Sequence, residues 1–415
     1  MGRKAVVGVV CVLTLGACTS EGSVSRQVQI EVDQPTALLD TPIHIRVTGL
    51  DPGERVRIDA QTHDAEGNAW ESGGSFVADS DGEVDLSRDA PSSGSYRDAD
   101  PMGLFWSVKR ADGLRGYRFG FPHDGARVVL TVTGGNEVLA RRTVVRLWLA
   151  EDVSYRRLRT RRHGIYGVYF APGSTGSLQP AVLVFGGSEG GLGGWLPAAL
   201  LASHGCPALA IAYFDAPGLR DELSRVPLEY FARALQWLSR QPGVDPTKLV
   251  VMGVSRGGEA ALLVGANFPE LVDGVVALVP SNVTVCGFPD RRSPAWTLGG
   301  VAVPCVRHFG PGWHGNPDAA IAVERIAAPI LLVCGGRDQR WPSCPMSEAI
   351  QARLRAHDYP FPHVLLRYPR AGHGVGFPVP YLVGPSFEYF SRASREARAR
   401  LWPEILEFLA QVASR

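Results

Sequence analysis

Two serines framed by glycines sit where a nucleophile would be useful. Ser255 falls in VVMGVSRGGEAALLVGA, Val250 to Ala266, and Ser188 falls in FGGSEGG, Phe185 to Gly191. Both fit G-x-S-x-G, through Gly253 and Gly257 in one case and Gly186 and Gly190 in the other. A serine on so tight a corner can be a nucleophile held out at a strand end. A glycine-rich turn whose serine caps a helix has the same spacing. Context separates the two. Ser255 ends an apolar run and opens an alanine- and leucine-rich helical stretch, whereas Ser188 runs into EGGLGGWLP, which reads as a loop. Ser255 is the expected nucleophile.

A serine hydroxyl needs a base, and the base needs an orienting acid. Asp338 closes LLVCGGRD at a predicted strand end, and His373 lies in YPRAGHGVG just after the next strand. The chain order Ser255, Asp338, His373 is that of α/β-hydrolases. Other histidines have simpler readings: His204 precedes a glycine at an apparent helix end, where capping suffices. His357 and His363 flank the last strand on its N-terminal side, away from the catalytic end. GGSEGG has neither the G-x-G-x-x-G spacing nor the Lys-Ser/Thr of a phosphate loop. It is expected to supply an oxyanion-hole N–H from Ser188, Glu189 or Gly190, beside the N–H of Arg256. For Glu189 the alternative is a carboxylate that favours a nearby helix N-terminus. No C-x-x-C or H-E-x-x-H spacing occurs, so neither a metal nor a cofactor is expected.

Those residues have to be held by something. From about Asp152 onward AVLVFGG, PALAIAYF, KLVVMGVS, GVVALVPS, PILLVCGGRD and HVLLRYP are continuous apolar runs, as in a sheet covered on both faces. Helical stretches such as PLEYFARALQWLSRQ alternate with them, with Leu228, Phe231, Leu235 and Leu238 at helical spacing. Alternation of this kind predicts a largely parallel sheet with its site at the strands' carboxyl ends. The earlier chain differs. IHIRVTGL and RVRIDAQTHD alternate with period two, and RVVLTVTGGNEVLARRTVVRLWL reads as a hairpin around Gly134, Gly135 and Asn136. The fold class is therefore α/β, an α/β-hydrolase domain over 151–415 preceded by an antiparallel β-sandwich over 27–150.

Bulk properties narrow the partners. In 415 residues the formal charge is +1, which offers nucleic acid no electrostatic footprint. The arginines of RRLRTRRHG, Arg156 to Gly164, alternate with Leu158 and Thr160 and read as a solvated strand face. Arg3 and Lys4 precede the apolar run Ala5 to Leu15, too short to span a bilayer but suited to a signal peptide. It ends in LGAC, Leu15 to Cys18, which resembles a bacterial lipobox. Residues 1–18 then form a leader and 19–26 a linker. Lipidation at Cys18 would anchor the protein on the extracytoplasmic side of a cell membrane. Five of the seven cysteines lie beyond the leader; Cys286 with Cys305 and Cys334 with Cys344 are candidate pairs, and Cys206 reads as a small buried hydrophobe.

With these residues in view, the chain resembles the acyl-CoA thioesterases related to bile acid-CoA:amino acid N-acyltransferase. The similarity runs over nearly all the mature length. PTALLDTPIHIRVTGLDPGE and PMGLFWSVK resemble the family's sandwich domain. ALLASHGCPALAIAYF, PLEYFARALQWL, GVSRGGE, GGRDQRWPS and YPRAGHGVGFP resemble its catalytic domain. The resemblance implies a triad of Ser255, Asp338 and His373 and a small acyl thioester or ester as substrate. It also implies hydrolysis over transfer, because the family's transferase attacks with cysteine where this chain has serine. An extracytoplasmic carboxylesterase and an acyl-CoA:amino acid N-acyltransferase are the alternative activities, and a non-catalytic surface module is a third reading. Two features depart from the family: the lipobox, and the segment from Ser281 to Asp318, which is expected to shape the acyl pocket. Arg256, Arg291, Arg292 and Arg307 are the residues expected to form any basic groove for an adenine nucleotide.

Overall fold

Valine and isoleucine at every second position give the early strands one buried face and one wet face. The computed structural model describes residues 1–2, 27–114, 119–173, 176–307, 316–381 and 391–415. The leader and Cys18 lie outside the described residues. The first strands are β1 (Gln29–Val32), β2 (Thr36–Leu38), β3 (Ile45–Thr48), β4 (Arg55–His63) and β5 (Ala69–Val77). They continue with β6 (Val84–Asp85), β7 (Ser93–Gly94), a short helix α1 (Gly103–Trp106), β8 (Lys109–Arg110), β9 (Ala126–Gly134) and β10 (Glu137–Leu147). One sheet runs β1-β3-β6; the other runs β2-β10-β9-β4-β5-β7, with β8 beside β5. Val56, Ile58 and Ala60 of β4 point into the core between them. The expected hairpin forms, with Gly134 opposite Glu137 and only Gly135 and Asn136 in the turn. One pairing departs from the antiparallel expectation: β2 joins β10 in parallel.

The second part is built on eight strands. These are β11 (Ser154–Leu158), β12 (Tyr166–Ala171), β13 (Gln179–Phe185), β14 (Ala208–Ala212), β16 (Val244–Val254), β17 (Gly274–Leu278), β20 (Ile330–Gly335) and β21 (His363–Tyr368). Three short strands, β15 (Val226–Pro227), β18 (Trp296–Leu298) and β19 (Val301–Ala302), form a separate small sheet. The large sheet has the order β11-β12-β14-β13-β16-β17-β20-β21 and is parallel from β14 onward. Its helices are α2 (Thr160–His163), α3 (Trp195–Ser203), α4 (Glu229–Leu238), α5 (Arg256–Asn267), α6 (Ser343–Ala356) and α7 (Arg392–Ala413). Leu262, Phe231 and Ile350 pack on one face of the sheet, and Leu200, Leu401 and Trp402 on the other. That double coverage is why β14, β17 and β20 are apolar at every position. The arginine-rich stretch is a strand only to Leu158; from Thr160 it makes the single helical turn of α2.

Both candidate cysteine pairs form disulfides, Cys286–Cys305 and Cys334–Cys344. Cys206 is free and partly buried, and burial pushes its thiol up to about 11. The two parts of the chain meet at Asp40. Its Oδ2 accepts from Trp402 Nε1 at 2.6 Å and pairs with His204 Nε2 at 2.5 Å. His204 does close α3 as expected, but its side chain reaches across to the sandwich, a role that its position beside a glycine does not reveal.

Candidate active site

Ser255 stands between β16 and α5 with φ 57° and ψ −115°, a backbone conformation that costs a serine roughly 1–3 kcal/mol. Its flanking glycines make the corner possible. A Cβ on Gly253 would run into the Gly257 carbonyl, and one on Gly257 into the carbonyl of Gly186. The Ser255 N–H donates to Leu278 O at 2.8 Å, and Ser255 O accepts from the Glu259 N–H at 3.0 Å. These bonds fix the turn to β17 on one side and to α5 on the other.

Asp338 follows β20 and His373 opens the 3-10 turn His373–Gly376. His373 Nδ1 lies 2.7 Å from Asp338 Oδ2, and both side chains are almost wholly buried. A carboxylate only accepts, so the proton of this bond sits on Nδ1, and a neutral imidazole then keeps its lone pair on Nε2. Asp338 Oδ1 is engaged separately, by the N–H groups of Arg340 at 2.9 Å and Trp341 at 3.4 Å. Trp341 sets its indole edge-on to the imidazole, 5.9 Å between centroids, while its Nε1 donates to Val279 O at 3.0 Å. The histidine turn is seated beside Ser255's neighbour in β16: a Cβ on Gly376 would lie 2.7 Å from Val254 Cγ2. Ser255, Asp338 and His373 thus all sit at the carboxyl edge of the sheet.

The glycine loop after β13 completes that edge. A Cβ on Gly187 would lie 3.1 Å from Ser255 Cβ, so this loop passes directly against Ser255. The expected placing of the Glu189 carboxylate at a helix N-terminus is not what forms: it turns back and accepts the Gly187 N–H at 2.9 and 3.0 Å. Helix α3 begins only at Trp195. With Gly187 engaged, the next N–H is that of Ser188, which donates to no acceptor among the described residues. Arg256 is the first residue of α5, where a main-chain N–H has no partner within the helix and the dipole is positive. Tyr213 braces the loop from beneath, its one hydroxyl proton shared between Gly187 O at 2.7 Å and Gly186 O at 3.0 Å.

The Arg256 side chain corrects one expectation. It is 5% exposed, and so cannot line a basic groove with Arg291, Arg292 and Arg307. Its guanidinium donates to Val285 O at 2.6 Å and Cys286 O at 2.8 Å, and its Nε lies 3.3 Å from Glu259 Oε2. Burial works against both charges, raising the Glu259 pKa and lowering that of Arg256, while their mutual attraction opposes it. Arg291 and Arg307 do adjoin, through a 3.2 Å bond from Arg291 Nη1 to Arg307 O, and Arg292 is exposed. Sequence reasoning missed Glu259, Trp296 and Tyr213. Glu259 Oε1 accepts from Trp296 Nε1 at 2.7 Å and from the Val285 N–H at 3.1 Å, which binds the 281–307 segment to α5. Among the described residues no cluster of side chains could hold a metal ion, and no helix is long and apolar enough to cross a membrane.

The strand order, with one antiparallel strand near its edge and a strained serine at the end of β16, defines an α/β-hydrolase. Comparison with known proteins narrows the class. Residues 40–160 match the acyl-CoA thioester hydrolase/BAAT N-terminal region. Residues 226–290 and 311–413 match the BAAT/acyl-CoA thioester hydrolase C-terminal domain. Acyl-coenzyme A thioesterase 6 of Mus musculus is 29% identical, over 89% of this chain and 93% of its own. Bile acid-CoA:amino acid N-acyltransferase of Mus musculus is 28% identical, over 91% and 96%. Among solved structures, the α/β-hydrolase MGS-M1 from a Medee basin deep-sea metagenome library aligns with a TM-score of 0.45 at 16% identity, covering 64% of this chain and 100% of that one. The chain belongs to the acyl-CoA thioester hydrolase/BAAT family and is a hydrolase.

Proposed function

We propose that the protein hydrolyses acyl thioesters through an acyl-enzyme on Ser255, with His373 as general base and Asp338 as orienting acid. The observation that carries this reading is the 2.7 Å bond from His373 Nδ1 to Asp338, at the same sheet edge as the strained Ser255. His373 Nε2 takes the Ser255 proton as Oγ attacks the thioester carbonyl. The resulting oxyanion is held by the N–H groups of Arg256 and Ser188. Collapse breaks the carbon–sulfur bond, and the thiolate leaves with the proton from Nε2. Water, deprotonated by the same nitrogen, then attacks the acyl-serine; the bond from the acyl carbon to Oγ breaks, Nε2 returns its proton to Oγ, and the acid is freed. Serine favours this outcome over transfer, because an oxygen ester is less readily aminolysed than a thioester.

The natural substrate follows from location. Cys18 is the lipidated residue of an anchored, extracytoplasmic protein in this reading, beyond the main coenzyme A pool. The substrate is therefore an acyl ester or thioester met outside the cytoplasm. The buried Arg256 supports this, since the nucleotide-binding groove loses one of its four arginines.

Turnover of acyl thioesters by single and double variants tests the mechanism. Ser255→Ala and His373→Ala should each lower kcat by roughly 10⁴-fold or more, with little further loss together, and Asp338→Asn by about 10⁴-fold. Fluorophosphonate labelling should vanish with Ser255. Full turnover by Ser255→Ala would end the proposal.

A further inference from the structure

We propose that the Cys334–Cys344 disulfide positions Asp338 for its work on His373, so that opening the bridge lowers turnover without weakening substrate binding. The inference rests on the reading of Ser255, His373 and Asp338 as the triad. Cys334 is the penultimate residue of β20 and Cys344 the second residue of α6, and everything between them is the loop that carries Asp338. The two Cα atoms are 4.9 Å apart, so the loop leaves the sheet and returns to nearly the same point.

At the loop base the Gly336 N–H donates to Tyr368 O at 3.0 Å, which ties the strand end to β21 but not to α6; the hydrogen bonds that tie it to α6 are weaker. Ser343 Oγ meets Gly335 N at 3.3 Å and Gly335 O at 3.4 Å, both long for hydrogen bonds. Higher up, the Arg337 N–H donates to Ala371 O at 2.9 Å, and Trp341 reaches Val279. Asp338 itself spends Oδ1 on the N–H groups of Arg340 and Trp341 and aims Oδ2 at His373. Those aims hold only while residues 335–343 keep their course. A covalent tie at the base removes the splayed conformations that two long hydrogen bonds would permit. A displacement of about 1 Å is enough to cost a catalytic group much of its effect.

The bridge is also reachable. Cys334 is fully buried, but Cys344 is partly exposed. A dithiol attacks the Cys344 sulfur as thiolate, the sulfur–sulfur bond breaks, and Cys334 leaves as a thiolate and is protonated. The second thiol of the reductant then displaces Cys344, so two electrons pass to the protein and the reductant ends as its own disulfide. The second bridge, Cys286–Cys305, lies in the segment held by Arg256 and serves as the internal comparison.

The test is a double-mutant cycle on the full chain. Cys334→Ala/Cys344→Ala is measured with and without Asp338→Asn, on an acyl thioester. Loss of the bridge should lower kcat about tenfold and leave KM within about twofold. In the Asp338→Asn background it should change kcat less than about twofold, since the residue it serves is already disabled. A merely structural role predicts the same fractional loss in both backgrounds, and that result overturns the inference. So does wild-type turnover without the bridge beside a normal Asp338→Asn loss, which leaves the triad reading intact. Full turnover by Asp338→Asn alone removes the acid assignment and the inference together. Reduction of the folded wild type guards against poor folding of the variant. Turnover should fall as Cys334 and Cys344 become alkylatable by mass spectrometry, and return on reoxidation. A loss that follows Cys286 and Cys305 instead overturns the proposal.

Discussion

Tyr213 shows how much a single hydroxyl can govern at this site. Its ring is fully enclosed among Phe185, Phe231 and Trp296, and burial pushes its phenol well above the ordinary tyrosine range, so it remains a donor. Its one hydroxyl proton is shared between the carbonyls of Gly187 at 2.7 Å and Gly186 at 3.0 Å, in the loop that passes Ser255. Tyr213→Phe keeps the ring and removes only that shared proton, leaving the loop carbonyls without it at a cost of about 1–3 kcal/mol. We expect kcat on an acyl thioester to fall about tenfold with KM nearly unchanged, because in the proposed mechanism the loop acts on the developing oxyanion and not on the bound ester. Unchanged kcat would show that the loop holds its shape unaided. No sequence pattern marks Tyr213, since IAYFD reads as the end of one more apolar strand. Ser255, Asp338 and His373 are legible because each follows an apolar run and two lie among glycines. Arg256 misleads for the opposite reason: a lone arginine reads as solvated, and only the fold shows Glu259 one helical turn away.

At the scale of elements, helix α5 is more than the mount for a serine. Its first turn carries both Arg256 and Glu259, and through them it holds Val285, Cys286 and Trp296 of the segment that follows β17. Removing one member of such a pair leaves the other as an uncompensated buried charge. Glu259→Ala strands Arg256 and also leaves Trp296 Nε1 and the Val285 N–H without acceptor. It should cost about 3–5 kcal/mol in the unfolding of the hydrolase part, and Glu259→Gln, which keeps an acceptor oxygen, should cost clearly less. Denaturant titration followed by tryptophan fluorescence measures both, and a Glu259→Ala loss under about 1 kcal/mol would show that the helix does not depend on the pair. The elements themselves are the most legible level. Runs such as AVLVFGG and KLVVMGVS announce buried strands by composition, and GGN announces the β9–β10 turn. The parallel entry of β2 is not legible, because three residues with one turn on each side carry no directional signal.

The whole molecule is joined through a contact that sequence cannot display, since its members are 164 and 362 residues apart. Asp40, 2% exposed at its side chain, extends from the sandwich between His204 at the end of α3 and Trp402 of α7. Arg146, itself buried, donates to the carbonyls of Leu39 and Thr41, on either side of Asp40, and so holds the carboxylate in place. Further along the same face, the Arg395 guanidinium lies 3.9 Å over the Trp106 ring. The bond to Asp40 raises the His204 pKa, against a smaller opposing effect of burial. A raised folded-state value means that protonated His204 stabilises the fold fully below the unfolded histidine value of about 6.5. That stability is lost as pH rises through the folded-state value. His204→Gln offers a donor of similar reach but never the charge. Its melting temperature should therefore lie below that of the wild type by about 2 °C in mildly acidic buffer, a modest gap because a third of the imidazole is exposed. The gap should narrow steadily toward alkaline pH, where neutral histidine and glutamine make the same kind of bond. Thermal unfolding of both proteins across that range measures it, and a gap of constant size would mean that shape, and not charge, joins the sandwich to the hydrolase.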